Sequence, residues 1–190
     1  MGVLDDAQAL HAVDAAAWRA WLEEHHATAV GVWLLRPRAG VVLEAVGYDD
    51  AVRQALCFGW VDGTVRPFDD EKNGQWYAPR RPGSGWAATN KVRVAELEAS
   101  GEMTDAGRRV IEAAKASGAW EMLDGPEAGV EPPELAAALD AVPAARAHWD
   151  AFPRSARKYA LTQIAMAKRP ETKAARIAKI VTDSAEGKRP

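Results

Sequence analysis

A single cysteine, Cys57, among 190 residues rules out an internal disulfide and fits a reducing compartment. No stretch reaches the ~20 uninterrupted apolar residues that a membrane-spanning helix needs. Met1 to His11 opens on Asp5 and Asp6 rather than the basic and then apolar segments of an export signal. The expected address is therefore the cytoplasm. His11, His25, His26 and His148 form neither H-x-x-x-H nor H-x-x-E pairs, and one cysteine cannot complete a zinc set. No metal site and no cofactor is expected. Gly83-Ser84-Gly85 lacks the lysine and the strand–loop–helix setting of a phosphate-binding P-loop. Internal repeats and long low-complexity tracts are also missing, which removes solenoid architectures.

What is there suffices for a packed core. Hydrophobic residues make up 48% of the chain and charged residues 27%, an ordinary globular balance that excludes disorder of the whole. The length fits one domain or two small ones. The net charge of −3 hides an asymmetry, because residues 1–153 carry −10 and residues 154–190 carry +7. A basic end can attract nucleic acid or anionic lipid, or it can dock on the acidic remainder of its own chain. An amphipathic helix ordinarily covers a core, which favours docking and makes nucleic acid the secondary partner.

Asp14 is placed to cap a helix running through His26, with Trp18, Trp21, Leu22 and His25 on one face. Val30 to Leu35 reads as a strand that Pro37 and Gly40 break. Asp49 is expected to cap the next helix, which carries Ala51, Val52, Ala55 and Leu56 and stops at Gly59. From Trp60 the period changes to two. Trp60, Asp62, Thr64 and Arg66 alternate with Val61, Gly63, Val65 and Pro67, a strand with two unlike faces. Asp69 to Gly74 is turn chemistry and Gln75 to Arg80 a returning strand. Beyond it the pattern is helical. Ser84 or Thr89 opens a helix to Ser100, and Thr104 caps one over Asp105–Ser117. A loop over Asp124–Pro133 precedes helices at Pro133–Ala141, Pro143–Phe152, Arg154–Lys168 and Glu171–Glu186.

Several segments carry a resemblance. Ala55-Leu56-Cys57-Phe58-Gly59-Trp60-Val61-Asp62-Gly63, Tyr77-Ala78-Pro79-Arg80-Arg81-Pro82 and Ser84-Gly85-Trp86-Ala87-Ala88-Thr89-Asn90-Lys91 follow one another in order. Gly101 to Gly107, Ala113 to Trp120 and Ala165 to Ile177 continue the series. Together they resemble the YdeI/OmpD-associated (OmdA-like, bacteriocin-protection) family along nearly the whole chain. Ala87 stands where that family commonly has serine, and Lys173 where arginine is usual, which removes a bidentate fork there. The resemblance implies a link to survival under bacteriocins and antimicrobial peptides. It brings no reaction, cofactor or catalytic residue with it.

The expected fold is α+β. Residues 1–100 form a small antiparallel sheet of three or four strands with flanking helices, and residues 101–190 form an all-helical region packed on it. The densest chemistry lies between Cys57 and Lys91, where Trp60, Trp76 and Trp86 interleave with Asp62, Arg66, Arg80, Arg81, Asn90 and Lys91. Indole faces stack on planar groups and arginine forks grip oxyanions, so these residues are candidates for an anionic small molecule or a protein partner. The plainer alternative buries the tryptophans and pairs Asp62 with an arginine. Cys57 beside Leu56 and Phe58 reads as packing more readily than as a nucleophile, and Asp62 lacks a second acid for hydrolysis. An enzyme acting through either is the weaker reading, and no catalytic residue is assigned. Lys168, Arg169, Lys173 and Arg176 form a basic patch, set against long aliphatic stems that cover core.

Overall fold

A computed structural model describes residues 8–190 of the chain. It divides into two units, one running up to Ser84 together with Thr89–Ala116, the other Gly85–Ala88 with Ser117–Pro190. The later stretch of the first unit ends at Ala116. Helix α4 (Asp105–Ala116) belongs with the first unit for a local reason. Gly107 brings it so close to helix α2 (Tyr48–Cys57) that an added Cβ would lie 2.5 Å from the Cys57 carbonyl oxygen. The Thr104 hydroxyl also donates to that carbonyl.

The first unit holds a four-stranded sheet in the order β1 (Ala9–Leu10), β2 (Val32–Pro37), β4 (Lys72–Pro79), β3 (Trp60–Pro67). The β2–β4 and β4–β3 pairs are antiparallel, whereas β1 is parallel to β2. Parallel pairing follows from the crossover through helix α1 (Ala15–His25), which returns the chain in the same direction. Asp14 caps α1 through its side chain, accepting from the Ala17 amide at 2.8 Å. Helix α2 begins earlier than expected, with Gly47 at its N-cap. Asp49 sits in the first turn instead and pairs with Arg93 at 2.6 Å.

Cross-strand partners share a face, so register assigns every side chain. One face holds Val32, Leu34 and Arg36 on β2, Tyr77, Gln75 and Asn73 on β4, and Trp60, Asp62 and Val65 on β3. It receives α1: Trp18 tilts against Tyr77 with ring centres 5.4 Å apart, and Trp21 meets Trp60 edge-on at 5.7 Å. The expected alternation along β3 fails at a bulge between Asp62 and Val65. One extra residue there turns Arg66 to the opposite face from Trp60 and Asp62. On that second face Trp33 and Trp76 lie 5.2 Å apart, and the Arg66 guanidinium stacks 4.2 Å above Trp33. Helix α3 (Ala88–Ser100) adds Val94 and Leu97 to the buried residues.

The second unit is helical: α5 (Asp124–Ala128), α6 (Pro133–Asp140), α7 (Pro143–Ala151), α8 (Arg154–Ala165) and α9 (Pro170–Ala185). Its core gathers Leu135, Leu139, Ala145, Leu161, Ile164, Ile177 and Ile180 around a fully buried Trp149. Proline at the first turn of α6, α7 and α9 sets their starts, where the missing N–H costs nothing. Residues 124–128, expected as loop, form the single turn α5, closed by Gly129 in the left-handed region.

Candidate functional site

The candidate ligand residues go to several places. Trp60 is buried and donates its indole N–H to the His26 carbonyl at 3.2 Å. Trp86 is buried in the second unit, 4.9 Å from Trp120. Both rings serve as packing, which suits large apolar surfaces with one polar handle. Trp76 and Arg66 share the second sheet face, away from Asp62. Arg81 is exposed, and Lys91 is half-buried on α3. Arg80 is half-buried, and burial pushes its guanidinium well below its ordinary value despite the opposing pull of Asp62. Asn90 accepts from Arg93 at 3.0 Å, and Arg93 in turn holds Asp49.

What remains on the first face is a polar hollow. Beyond the ground that α1 covers, Arg36, Pro37, Val65, Asn73 and Gln75 enclose about 150 Å³. Strand register builds it, with Arg36 opposite Asn73 and Gln75 opposite both Leu34 and Val65. Gln75 is buried and spends its amide on the Gly63 carbonyl at 2.7 Å, which ties the bulge to the floor. At the head of α2, Tyr48 leans over: the Arg36 guanidinium stacks 5.3 Å from its ring, and its hydroxyl donates to Asp62 at 2.8 Å. Burial and the Asp62 carboxylate raise the Tyr48 phenol above its usual range. The fully buried Tyr77, directly across from Asp62, keeps a hydroxyl with no hydrogen-bond partner. Its phenol is raised for the same two reasons.

Among the described residues, Arg36 makes no ion pair and the Asn73 amide no side-chain hydrogen bond. A guanidinium and an amide thus face the hollow with capacity to spare. Asp62 was the only member of this group marked by the sequence. Arg36 and Asn73 have no local signal beyond alternation, and Tyr48 reaches Asp62 only through the fold.

The other candidates resolve differently. Cys57 is fully buried and burial pushes its thiol up, the opposite of an activated nucleophile. Of the basic patch, Lys173 pairs with Glu134 at 2.9 Å and Arg176 donates to the Gln163 carbonyl, while Lys168 and Arg169 stay exposed. No group of three His, Cys, Asp or Glu among the described residues could hold a metal ion. Among them, too, no helix is long and apolar enough to cross a membrane.

Residues 10–110 match the family model described as a domain of unknown function, DUF8412. Residues 129–187 match the model described as bacteriocin-protection, YdeI or OmpD-associated. The first match takes in more than half of the chain and the second its helical end. No curated protein and no solved structure gives a significant match.

Proposed function

Because the chain belongs to the DUF8412 family and carries a YdeI/OmpD-associated region after that domain, we propose that it is a binding protein. Its ligand is a compact anion, seated in the sheet hollow of the first unit. The observation that carries this reading is the pair Arg36 and Asn73, opposite each other on neighbouring strands and unsatisfied by any described side chain. An arginine fork with a neighbouring amide suits a carboxylate or another planar oxyanion. The volume of about 150 Å³ is below the ~300 Å³ of sites for drug-sized ligands, so one small group fits. Asp62 does not line the hollow, accepts from the Tyr48 hydroxyl and lacks a second acid, which argues against hydrolysis. The bacteriocin-protection description of the matched C-terminal region supports a role in tolerance of antimicrobial peptides, exercised through this binding.

A thermal-shift screen of small carboxylates and inorganic phosphate at constant ionic strength tests the reading. A compound that binds should raise Tm, and Arg36→Gln should weaken it by about tenfold, the value of one charge-assisted contact. An equal shift in Arg36→Gln, with the circular dichroism spectrum unchanged, would remove the hollow from consideration.

A further inference from the structure

We infer that the second unit has an oxyanion site of its own, in a notch between the segment after α5 and the first turns of α8, and that it takes a phosphate group. The notch encloses about 130 Å³ and is lined by Gly129, Glu131, Trp149, Arg154, Arg157 and Lys158, among others. Three of these are cations from one end of one helix.

Their placement runs against the ordinary grammar of helices. A helix N-terminus carries roughly half a positive charge and usually gathers Asp or Glu. Helix α8 has no acid in its first turn and no side-chain cap, since Pro153 occupies the N-cap. Arg154, Arg157 and Lys158 add positive charge to that end. Local rules broken together in this way mark a functional constraint more often than an accident.

The internal partners do not use up the charge. Lys158 pairs with Glu127, and an Arg154 Nη donates to the Glu127 backbone carbonyl at 3.0 Å. Among the described residues no carboxylate lies within ion-pair reach of Arg154 or Arg157. The Arg157 Nε is buried without any hydrogen-bond partner, a costly state for a charged donor. Two further carboxylates are close, and Arg146 answers both. Glu131 accepts from Arg146 at 2.8 and 2.9 Å and from the Trp149 indole at 2.7 Å, while Asp150, whose field reaches Arg157, is also held by Arg146. An incoming anion therefore meets the Arg154 and Arg157 guanidiniums, with the Glu127-paired Lys158 beside them, over a buried base of Trp149 and Leu161. A tetrahedral dianion accepts from several directions at once, which matches converging donors better than a flat carboxylate does. This site shares no residue with the sheet hollow, so the two proposals stand or fall separately.

Calorimetry on the full chain is the test, with inorganic phosphate and phenyl phosphate as probes against chloride at matched ionic strength. Saturable binding at one site per chain is expected. Arg157→Gln should weaken it at least about tenfold, and the exposed Arg154→Gln, which leaves the core untouched, by a smaller factor. Arg36→Gln should leave it unchanged. Tighter binding of the ester would assign a phosphomonoester, and equal binding the free ion. Three results would overturn the site: no heat from either probe at ~50 mM, far above a useful affinity; the same affinity in Arg157→Gln and Arg154→Gln; or binding seen only with duplex DNA and falling steeply with salt.

Discussion

The two units solve the same problem, burying large rings, with different acceptors. In the first, Trp18 and Trp60 donate to backbone carbonyls, those of Ala51 and His26. In the second, Trp149 donates to the Glu131 carboxylate, itself gripped by Arg146. A carbonyl is neutral at every pH, whereas a carboxylate must be ionised to serve in this way. The helical unit has therefore tied its central ring to a charge network, whereas these two rings of the sheet unit rest on neutral acceptors. The sharpest way to break this contrast is to remove the ring at the centre of the second unit. Trp149→Ala should cost about 3–5 kcal/mol, the range for a large aromatic leaving a cavity. It also strips one donor from Glu131. Trp149→Phe keeps most of the bulk and should cost clearly less. Urea denaturation at constant m distinguishes the two, and equal losses would mean that the indole N–H, and not the ring, is what matters.

How much of this was legible follows from where each signal lies. The Asp14 cap, the stop at Gly59 and the proline starts of α6, α7 and α9 are local and could be read directly. The bulge after Asp62 could not. Alternation says which residues differ in character, not where a strand carries an extra one, and Gly63 was its only trace. That single residue puts Arg66 on the face opposite to the one that alternation predicts. Strand β1 has two residues, too few for any period, and its parallel pairing depends on where α1 returns the chain. The tryptophans drew attention as stacking surfaces because composition cannot separate a ring in a cleft from a ring in a core. Arg36 and Tyr48 each look like the end of an element, and their meeting is tertiary. The notch on α8 is hidden for the same reason: its cations count toward the +7 of the C-terminal end, but sequence cannot show that Arg157 and Trp149 line one notch.

Close backbone approach supplies a second contrast. Glycine within a helix ordinarily costs about 1 kcal/mol relative to alanine, so replacing one should stabilise. Gly107 in α4 reverses the sign, because a methyl there would press on the Cys57 and Leu56 carbonyls at 2.5 and 2.8 Å. Backbone cannot step aside as a flexible side chain can. Gly107→Ala should therefore destabilise by roughly 1–3 kcal/mol through overpacking, and a gain in Tm would show that α4 is not seated on α2 as described. Helices α6 to α9 of the second unit contain no glycine and so offer no such position.

The charge network of the second unit should show itself most gently, as a slope against pH. Hydrogen bonds from Arg146, and then from Trp149, hold the Glu131 carboxyl below its ordinary value. A group whose folded value is depressed contributes stability that is fully present above its unfolded value of ~4.3 and is lost as pH falls through the folded one. Below pH ~4.5, then, the protein should weaken as Glu131 takes up its proton. Glu131→Gln cannot ionise, yet its amide oxygen can still accept from the Trp149 indole. It should lower stability by about 1 kcal/mol at neutral pH, the order of one charge-assisted bond in a partly screened pair. Its stability curve should then converge on that of the parent chain in acid. Asp150, lowered by the same guanidinium, leaves a residual slope in the variant. Parallel curves for the two proteins from pH 7 to pH 3 would mean that the carboxylate is replaceable by any acceptor, which would make the second unit no different in kind from the first.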